Sequence, residues 1–415
     1  MPDLSWMTRD AWLMMVARTV RTFSYGFLAV LLPIYLITLG YGAAVIGGML
    51  SLGLGGASVA ALASGPLARR WGRRRVLMAN ALLMTAAGVV LAVSDQLWLL
   101  LVASATGTLN VTQTERGAFG TLDQAVLPQT APSEHRTNIF AMHNIVGGVG
   151  AAFGALASGI PALVADATGM DLALACRPMY GVYAAAGLVV FLCTLAISAK
   201  VEVQASTAST NAWGVTRSGG VIAKLAAVSA VDSFGGGFVP QSIIAYWFHE
   251  VHGLQLSTLA PLFAATSIVE ANSYWVAARL AKRLGLLNTM VFTHIPSSLF
   301  TIAAVFAPTA WLAVLFWQLR SFLGQMDSPT RDSYTMAVVR PEERMATASL
   351  NFTGRSLATI FGPTASTALW NALSVSAGAP FLVSSVLKIS YDLSLYALFR
   401  KVKPPEEAAR RRRGG

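Results

Sequence analysis

The chain has 415 residues, of which 55% are hydrophobic and 12% are charged, and its formal net charge at pH 7 is +11. Charged residues make up about a quarter of ordinary soluble domains, so this composition argues against a soluble fold and favours burial in lipid. Windows of about 20 apolar residues recur along the chain, each long enough to cross about 30 Å of hydrocarbon. The composition therefore predicts an all-α membrane protein.

Polar and Pro/Gly-rich breaks divide the chain into twelve predicted transmembrane spans. In chain order these spans cover 11–39, 43–68, 76–93, 97–127, 137–161, 179–198, 219–248, 256–278, 286–306, 310–339, 345–370 and 380–399. The tenth span is the least regular, because charged residues interrupt its apolar pattern. Those residues are Arg320, Asp327, Arg331 and Asp332.

Lysine and arginine are distributed unequally between the connections of the predicted spans. The two termini and the loops after even-numbered spans hold 21 of them, whereas the opposite loops hold only Arg177. Cytoplasmic loops carry such an excess of positive charge, so both termini are predicted to lie on the cytoplasmic side of the cell inner membrane. The basic stretch 410–413 then fits a topology or anionic-lipid signal better than a nucleic-acid site.

An internal repeat divides the chain into two halves. Gly26 recurs as Gly237 at an offset of 211, the segment 65–77 recurs as 278–290 at an offset of 213, and a third region repeats at 208. Such nearly equal offsets predict two six-helix bundles related by duplication, as in many transporters. The predicted domains are an N-terminal bundle at 1–198, a cytoplasmic linker at 199–218, a C-terminal bundle at 219–400 and a basic tail at 401–415.

The segment Gly65-Pro-Leu-Ala-Arg-Arg-Trp-Gly-Arg-Arg-Arg-Val-Leu77 lies between the second and third spans and resembles motif A of the major facilitator superfamily, G-x-L-A-D-R-x-G-R-R-x-x-L. The resemblance implies a twelve-helix secondary transporter with a gating motif formed by Gly65, Arg70, Gly72 and Arg73. Arg69 replaces the Asp of the pattern. That Asp makes charge contacts that hold one conformation in the family, so this chain must stabilise that state differently or less strongly.

Charged side chains inside the predicted spans are the main candidates for function, because an intramembrane ion must face protein, water or a partner. They concentrate on spans 1, 4, 7 and 10, which line the central cavity in the resembled family. The candidate substrate-binding residues are Arg18, Arg21, Tyr25, Gln113, Arg116, Asp123, Asp232, Tyr246, Arg320, Asp327, Arg331 and Tyr334. The proton-coupling candidates are Asp123, Asp232, Glu270 and Asp327. Lys388 and Asp392, one turn apart on the twelfth span, are expected to pair with each other.

Arg21 and Asp232 are equivalent positions in the two halves, and they carry opposite charges. One hypothesis is that they pair between the halves and close the cytoplasmic side. Such a pair would be worth only a few kcal/mol, because desolvation offsets much of the attraction. The alternative is that each charge is paired within its own half, with Asp123 or Glu115 as the partner of Arg21.

The leading functional hypothesis is a proton-coupled secondary carrier that works by alternating access. Arginine-rich cavities favour carboxylate or phosphate groups, so a small organic anion or zwitterion is the expected substrate, with efflux slightly favoured over uptake. A lipid translocase and a non-transporting receptor or scaffold on the same fold are the alternatives. The sequence offers no Ser/His/Asp set, metal-ligand cluster or phosphate loop. We therefore expect a monomer without enzymatic activity, cofactor, bound metal or nucleic-acid partner.

Overall fold

The computed structural model describes residues 6–110, 112, 117–130, 136–198, 202, 219–338 and 344–402. Within these ranges the regular structure is helical, and no strand is present. The first eight helices are α1 (Arg9–Thr38), α2 (Ala43–Trp71), α3 (Arg73–Val93), α4 (Leu97–Ala105), α5 (Ala118–Val126), α6 (Arg136–Ala157), α7 (Ile160–Thr168) and α8 (Leu172–Ala196). The others are α9 (Gly219–Phe238), α10 (Gln241–His252), α11 (Leu256–Leu284), α12 (Leu286–Val305), α13 (Ala310–Gly324), α14 (Asp327–Val338), α15 (Arg344–Ile360), α16 (Gly362–Leu373) and α17 (Ala379–Phe399).

Each of the twelve predicted spans overlaps at least one of these helices, so the predicted all-α fold is confirmed. Four spans hold most of two helices, and the fifth span also reaches the start of α7, because the backbone breaks near proline, glycine or polar residues. In the seventh span, for example, Pro240 lies between α9 and α10, and a proline disfavours helical backbone in the residue before it. Eight stretches within the described residues are long and apolar enough to cross a membrane: Arg9–Thr38, Ala43–Trp71, Arg73–Val93, Met142–Thr168, Leu172–Ala196, Gly219–His252, Leu286–Val305 and Val375–Phe399.

The chain forms two compact units. The first unit comprises 1–206 with 240–268, and the second comprises 207–239 with 269–415. The segment 240–268 thus groups with the first unit, although the repeat had assigned it to the second bundle. Its packing explains the grouping, since α10 contacts α1 and the Ser242 hydroxyl donates a 2.8 Å hydrogen bond to the Ala29 carbonyl.

Glycine allows α1 and α6 to approach each other closely in the first unit. A Cβ added at Gly26 would lie 2.3 Å from the Ala151 carbonyl oxygen, and one added at Gly154 would lie 1.9 Å from the Phe23 carbonyl oxygen. Both distances are far below van der Waals contact. Any side chain at either position would therefore push the two helices apart.

The second unit contains the matching contact. A Cβ added at Gly362 would lie 2.0 Å from the Gly237 carbonyl carbon, and one added at Gly237 would lie 2.7 Å from the Thr359 carbonyl oxygen. Gly237 and Gly362 are the repeat equivalents of Gly26 and Gly154. The sequence repeat therefore corresponds to a glycine-dependent helix contact that each unit forms once.

Candidate transport site

The first unit contains a buried ion pair between Arg21 of α1 and Asp123 of α5. Both residues are only 2% exposed, and the guanidinium of Arg21 also lies over the Phe119 ring, 4.5 Å from its centroid. His143 of α6 lies near the same carboxylate, with Nε2 3.4 Å from Oδ2 of Asp123, the oxygen that Arg21 also contacts. Arg21 therefore pairs with Asp123 within its own half, as one of the two sequence hypotheses proposed.

Arg18 lies one turn before Arg21, against α6. A Cβ added at Gly147 would meet its Nε at 2.8 Å, so the glycine provides the space that the guanidinium occupies. We call Arg18, Arg21, Asp123 and His143 the first charge cluster. The other first-unit candidates are Tyr25 on α1 and Tyr246 on α10, and both are buried. Gln113 and Arg116 lie outside the described residues.

The second unit contains a larger set of buried charges around Asp232 of α9. One carboxylate oxygen of Asp232 lies 2.8 Å from Arg331 of α14, and the other lies 3.0 Å from Nζ of Lys388 on α17. The Arg331 atom in this contact is Nη1. It also lies 2.8 Å from Asp327, one turn earlier on α14. Two of the predicted proton-coupling carboxylates are thus joined through one guanidinium.

His294 of α12 connects this set to Asp392 of α17. Its Nδ1 lies 3.0 Å from both carboxylate oxygens of Asp392, while its Nε2 lies 3.5 Å from Nζ of Lys388 and 4.0 Å from Asp232. We call Asp232, His294, Asp327, Arg331, Lys388 and Asp392 the second charge cluster. His294 is not among the residues predicted from the sequence, because a single histidine on an apolar span gives no periodic signal.

The predicted pair between Lys388 and Asp392 is wrong. The two residues are one turn apart on α17, but Lys388 bonds to Asp232 and Asp392 bonds to His294. A buried carboxylate without a partner is costly, so Asp232 provides a stronger partner for the ammonium than a neighbour on the same helix does. Helical spacing alone could not reveal these tertiary partners.

The remaining candidates of the second unit lie on α11, α13 and α14. Glu270 of α11 accepts a hydrogen bond from Gln325 and interacts electrostatically with Arg320 of α13. The guanidinium of Arg320 lies over the Trp317 ring, 4.7 Å from its centroid. The Tyr334 hydroxyl donates a 2.9 Å hydrogen bond to the Val402 carbonyl, so α14 contacts the residues that follow α17.

A carboxylate from outside the motif, that of Glu202, binds at the turn between α2 and α3. Oxygens of Glu202 accept hydrogen bonds from the backbone N–H groups of Arg73 and Arg74, at 2.8 and 2.9 Å. These N–H groups belong to the first turn of α3, where a negative charge is favourable. Gly72, with φ of +90°, makes the preceding turn, and a Cβ there would lie 2.6 Å from the carboxylate.

The arginines of this motif have different surroundings. Arg73 donates to the Ala125 carbonyl at the end of α5, and Arg74 donates to the Thr194 and Leu195 carbonyls at the end of α8. Cations stabilise helix C-termini in this way. Arg70 is exposed, and Gly65 lies within α2. Apart from Glu202, the predicted linker 199–218 is described at no position, and the tail is described only at 401 and 402.

Solved structures of membrane transporters share this fold. A bacterial homologue of the human lysosomal transporter Spinster aligns with a TM-score of 0.73 at 14% identity, over 94% of this chain and 96% of its own. The nucleoside transporter NupG aligns with a TM-score of 0.72 at 14% identity, over 94% of this chain and 99% of its own. A D-xylose–proton symporter aligns with a TM-score of 0.74 at 13% identity, over 93% of this chain and 97% of its own. At these identities the similarity establishes the fold, which is that of a multi-pass membrane transporter.

The family follows from the sequence itself. The model of the Major Facilitator Superfamily matches residues 14–328. This chain therefore belongs to the Major Facilitator Superfamily. It is also 26% identical to an uncharacterised membrane protein of Saccharomyces cerevisiae over 94% of both chains.

Proposed function

We propose that this protein is a secondary active transporter that works by alternating access and couples the movement of a small organic substrate to protons. The observation that carries the proposal is the second charge cluster, in which Asp232 is shared by Arg331 and Lys388 inside a membrane protein. Buried ions are expensive in a membrane and persist where they have a function. Similarity to a proton symporter supports the same coupling.

The substrate class follows from the cations. The first charge cluster brings Arg18 and Arg21 to the single carboxylate of Asp123, and Arg320 and Arg331 supply further guanidinium groups in the second unit. Guanidinium groups bind carboxylates and phosphates through paired hydrogen bonds. We therefore propose an organic anion or zwitterion as the substrate, with export favoured over import.

Two alternatives use the same fold. A lipid translocase would move a headgroup rather than a soluble solute, and a receptor or scaffold would bind a ligand without moving it. In both charge clusters, carboxylates are bonded to cations. Proton binding can exchange the partners in these bonds, and this favours a transport cycle. We propose no enzymatic activity and no cofactor.

We further propose that the protein acts as a monomer in the cell inner membrane, with both termini in the cytoplasm. The excess of basic residues in the even-numbered loops supports this orientation. A cysteine introduced at either terminus should react with a membrane-impermeant thiol reagent only after the membrane has been opened. Labelling of either end on intact cells would overturn the orientation.

A screen with purified protein in liposomes tests the function. Labelled organic anions, zwitterions and cations are offered with and without a pH gradient, and fluorescent lipids are offered in parallel. We expect one anion or zwitterion to accumulate in a gradient-dependent way. Movement of lipid alone would favour the translocase, and binding without movement would favour the receptor. Empty liposomes and liposomes with the Asp327→Asn variant are the controls.

A further inference from the structure

We propose that His294 is the residue that binds the coupling proton, and that its protonation displaces Lys388 from Asp232. The inference rests on the proposed proton coupling and assigns it to one side chain. His294 is 3% exposed and lies on α12, between Asp392 on one side and Lys388 with Asp232 on the other.

The two ring nitrogens of His294 have different partners. Nδ1 faces both oxygens of Asp392 at 3.0 Å, and an ionised carboxylate only accepts hydrogen bonds. Nδ1 therefore carries the hydrogen of the neutral ring. A neutral imidazole has one N–H, so Nε2 has a lone pair.

The lone pair of Nε2 faces an ammonium group. Nζ of Lys388 lies 3.5 Å from Nε2 and donates to Asp232 Oδ1 at 3.0 Å. The same Oδ1 lies 4.0 Å from Nε2. Nε2 and the Asp232 carboxylate are therefore two acceptors placed around a single cation.

A proton that binds at Nε2 changes this arrangement. The new N–H bond makes the ring cationic, and two positive groups 3.5 Å apart in a buried site repel each other. Asp232 Oδ1, 4.0 Å from Nε2, is an acceptor for the new N–H. Lysine has a long flexible stem, so the ammonium moves away while the imidazolium replaces it at the carboxylate. One proton is taken up, the Lys388–Asp232 hydrogen bond breaks, and a His294–Asp232 hydrogen bond forms.

Charged and titratable groups around His294 and Asp232 set the balance of this exchange. They are Asp232 of α9, Arg320 of α13, Asp327 and Arg331 of α14, Arg355 of α15, and Lys388, Tyr391 and Asp392 of α17. Arg331 bonds to the other oxygen of Asp232, on the side away from Lys388. The exchange therefore changes only the partner on the Lys388 side and releases α17 from α9 at that point.

Nitrogen NMR of the full-length protein, labelled with ¹⁵N in its histidine rings and held in lipid nanodiscs, tests the inference without any substrate. His294→Gln identifies the signals of His294 by their loss. We expect hydrogen on Nδ1 only in alkaline buffer and on both nitrogens once the buffer is acidified. A ring that keeps one protonation state from alkaline to acidic buffer would overturn the proposal.

Two variants separate the exchange from simple titration. Lys388→Met removes the competing ammonium, so the doubly protonated ring of His294 should persist in more alkaline buffer than it does in the unmodified protein. Asp392→Asn removes the opposite charge, so the same form should need more acidic buffer. Lys224→Gln, an exposed lysine of α9, is the matched control and should leave the signals unchanged. An unchanged titration in both Lys388→Met and Asp392→Asn would overturn the exchange.

The outcomes distinguish this inference from the proposed function. A titration as expected in a protein that transports nothing would contradict the function and leave the proton site standing. Gradient-driven transport by a protein in which His294 never titrates would contradict the proton site alone.

Discussion

Arg331 Nη1 lies 2.8 Å from Asp232 in the second unit, and this ion pair corresponds to the one that Arg21 and Asp123 form in the first unit. Asp232 follows Arg21 at an offset of 211, and Arg331 follows Asp123 at an offset of 208, which are two of the offsets of the internal repeat. Each half thus forms the same buried ion pair, with the two signs exchanged.

Charge reversal within the first unit tests that pair. Arg21→Asp and Asp123→Arg should each lower the free energy of unfolding by about 3–5 kcal/mol, because each leaves like charges buried together. The double variant should recover part of the loss, as thermal unfolding of the purified proteins would reveal. Arg21→Asp with Asp232→Arg is the comparison, and it should give no recovery. Recovery of transport there instead would favour a gate between the halves.

The charged residues of α14 are predicted to be needed for transport and not for insertion. Asp327→Asn removes the charge of one of two buried carboxylates, and Arg331→Ala removes the guanidinium that joins them. Both variants should reach the membrane at normal levels and lose transport, measured at equal protein amounts in liposomes. Wild-type rates in both would assign these charges to structure.

Glu202 is predicted to cap the first turn of α3. Glu202→Ala should cost about 0.5–2 kcal/mol, the usual value of a lost N-terminal cap, because two backbone N–H groups lose their acceptor. Chemical unfolding of the purified protein measures the change. Glu250→Ala, at an exposed position of α10, is the control. An equal effect of the two variants would contradict the cap.

Gly362 is predicted to be needed for the full stability of the second unit. Gly362→Ala puts a Cβ 2.0 Å from the Gly237 carbonyl carbon, so α16 and α9 must separate at a cost of about 1–3 kcal/mol. Gly354→Ala is the matched control, since a Cβ there meets nothing within 4 Å. The midpoints of thermal unfolding should therefore fall for the first variant only. Similar midpoints for the two would mean that the helices are not in close contact.

The sequence could predict the features that depend on composition and period. Apolar length defined the spans, and helical spacing brought Asp327 and Arg331 onto one face of the tenth span, where they do form an ion pair. Partners from distant segments could not be predicted this way. His294 is 98 residues from Asp392, and Glu202 is 128 residues from Arg74.

The wrong pairing of Lys388 with Asp392 has the same cause. Spacing shows which side chains can meet on one helix. The free energy of folding, however, depends on which buried charges would otherwise stay unpaired. Asp232 and His294 come from other helices, and both are buried beside α17. Those tertiary neighbours decide the partners.

Solute-driven proton movement tests the central claim most directly. Liposomes that contain the protein and an entrapped pH-sensitive dye receive a gradient of the solute identified by the screen, with no pH gradient applied. Coupled transport predicts a change of internal pH that follows the solute gradient and is absent with Asp232→Asn. Movement of the solute across the membrane without any change of internal pH would contradict proton coupling.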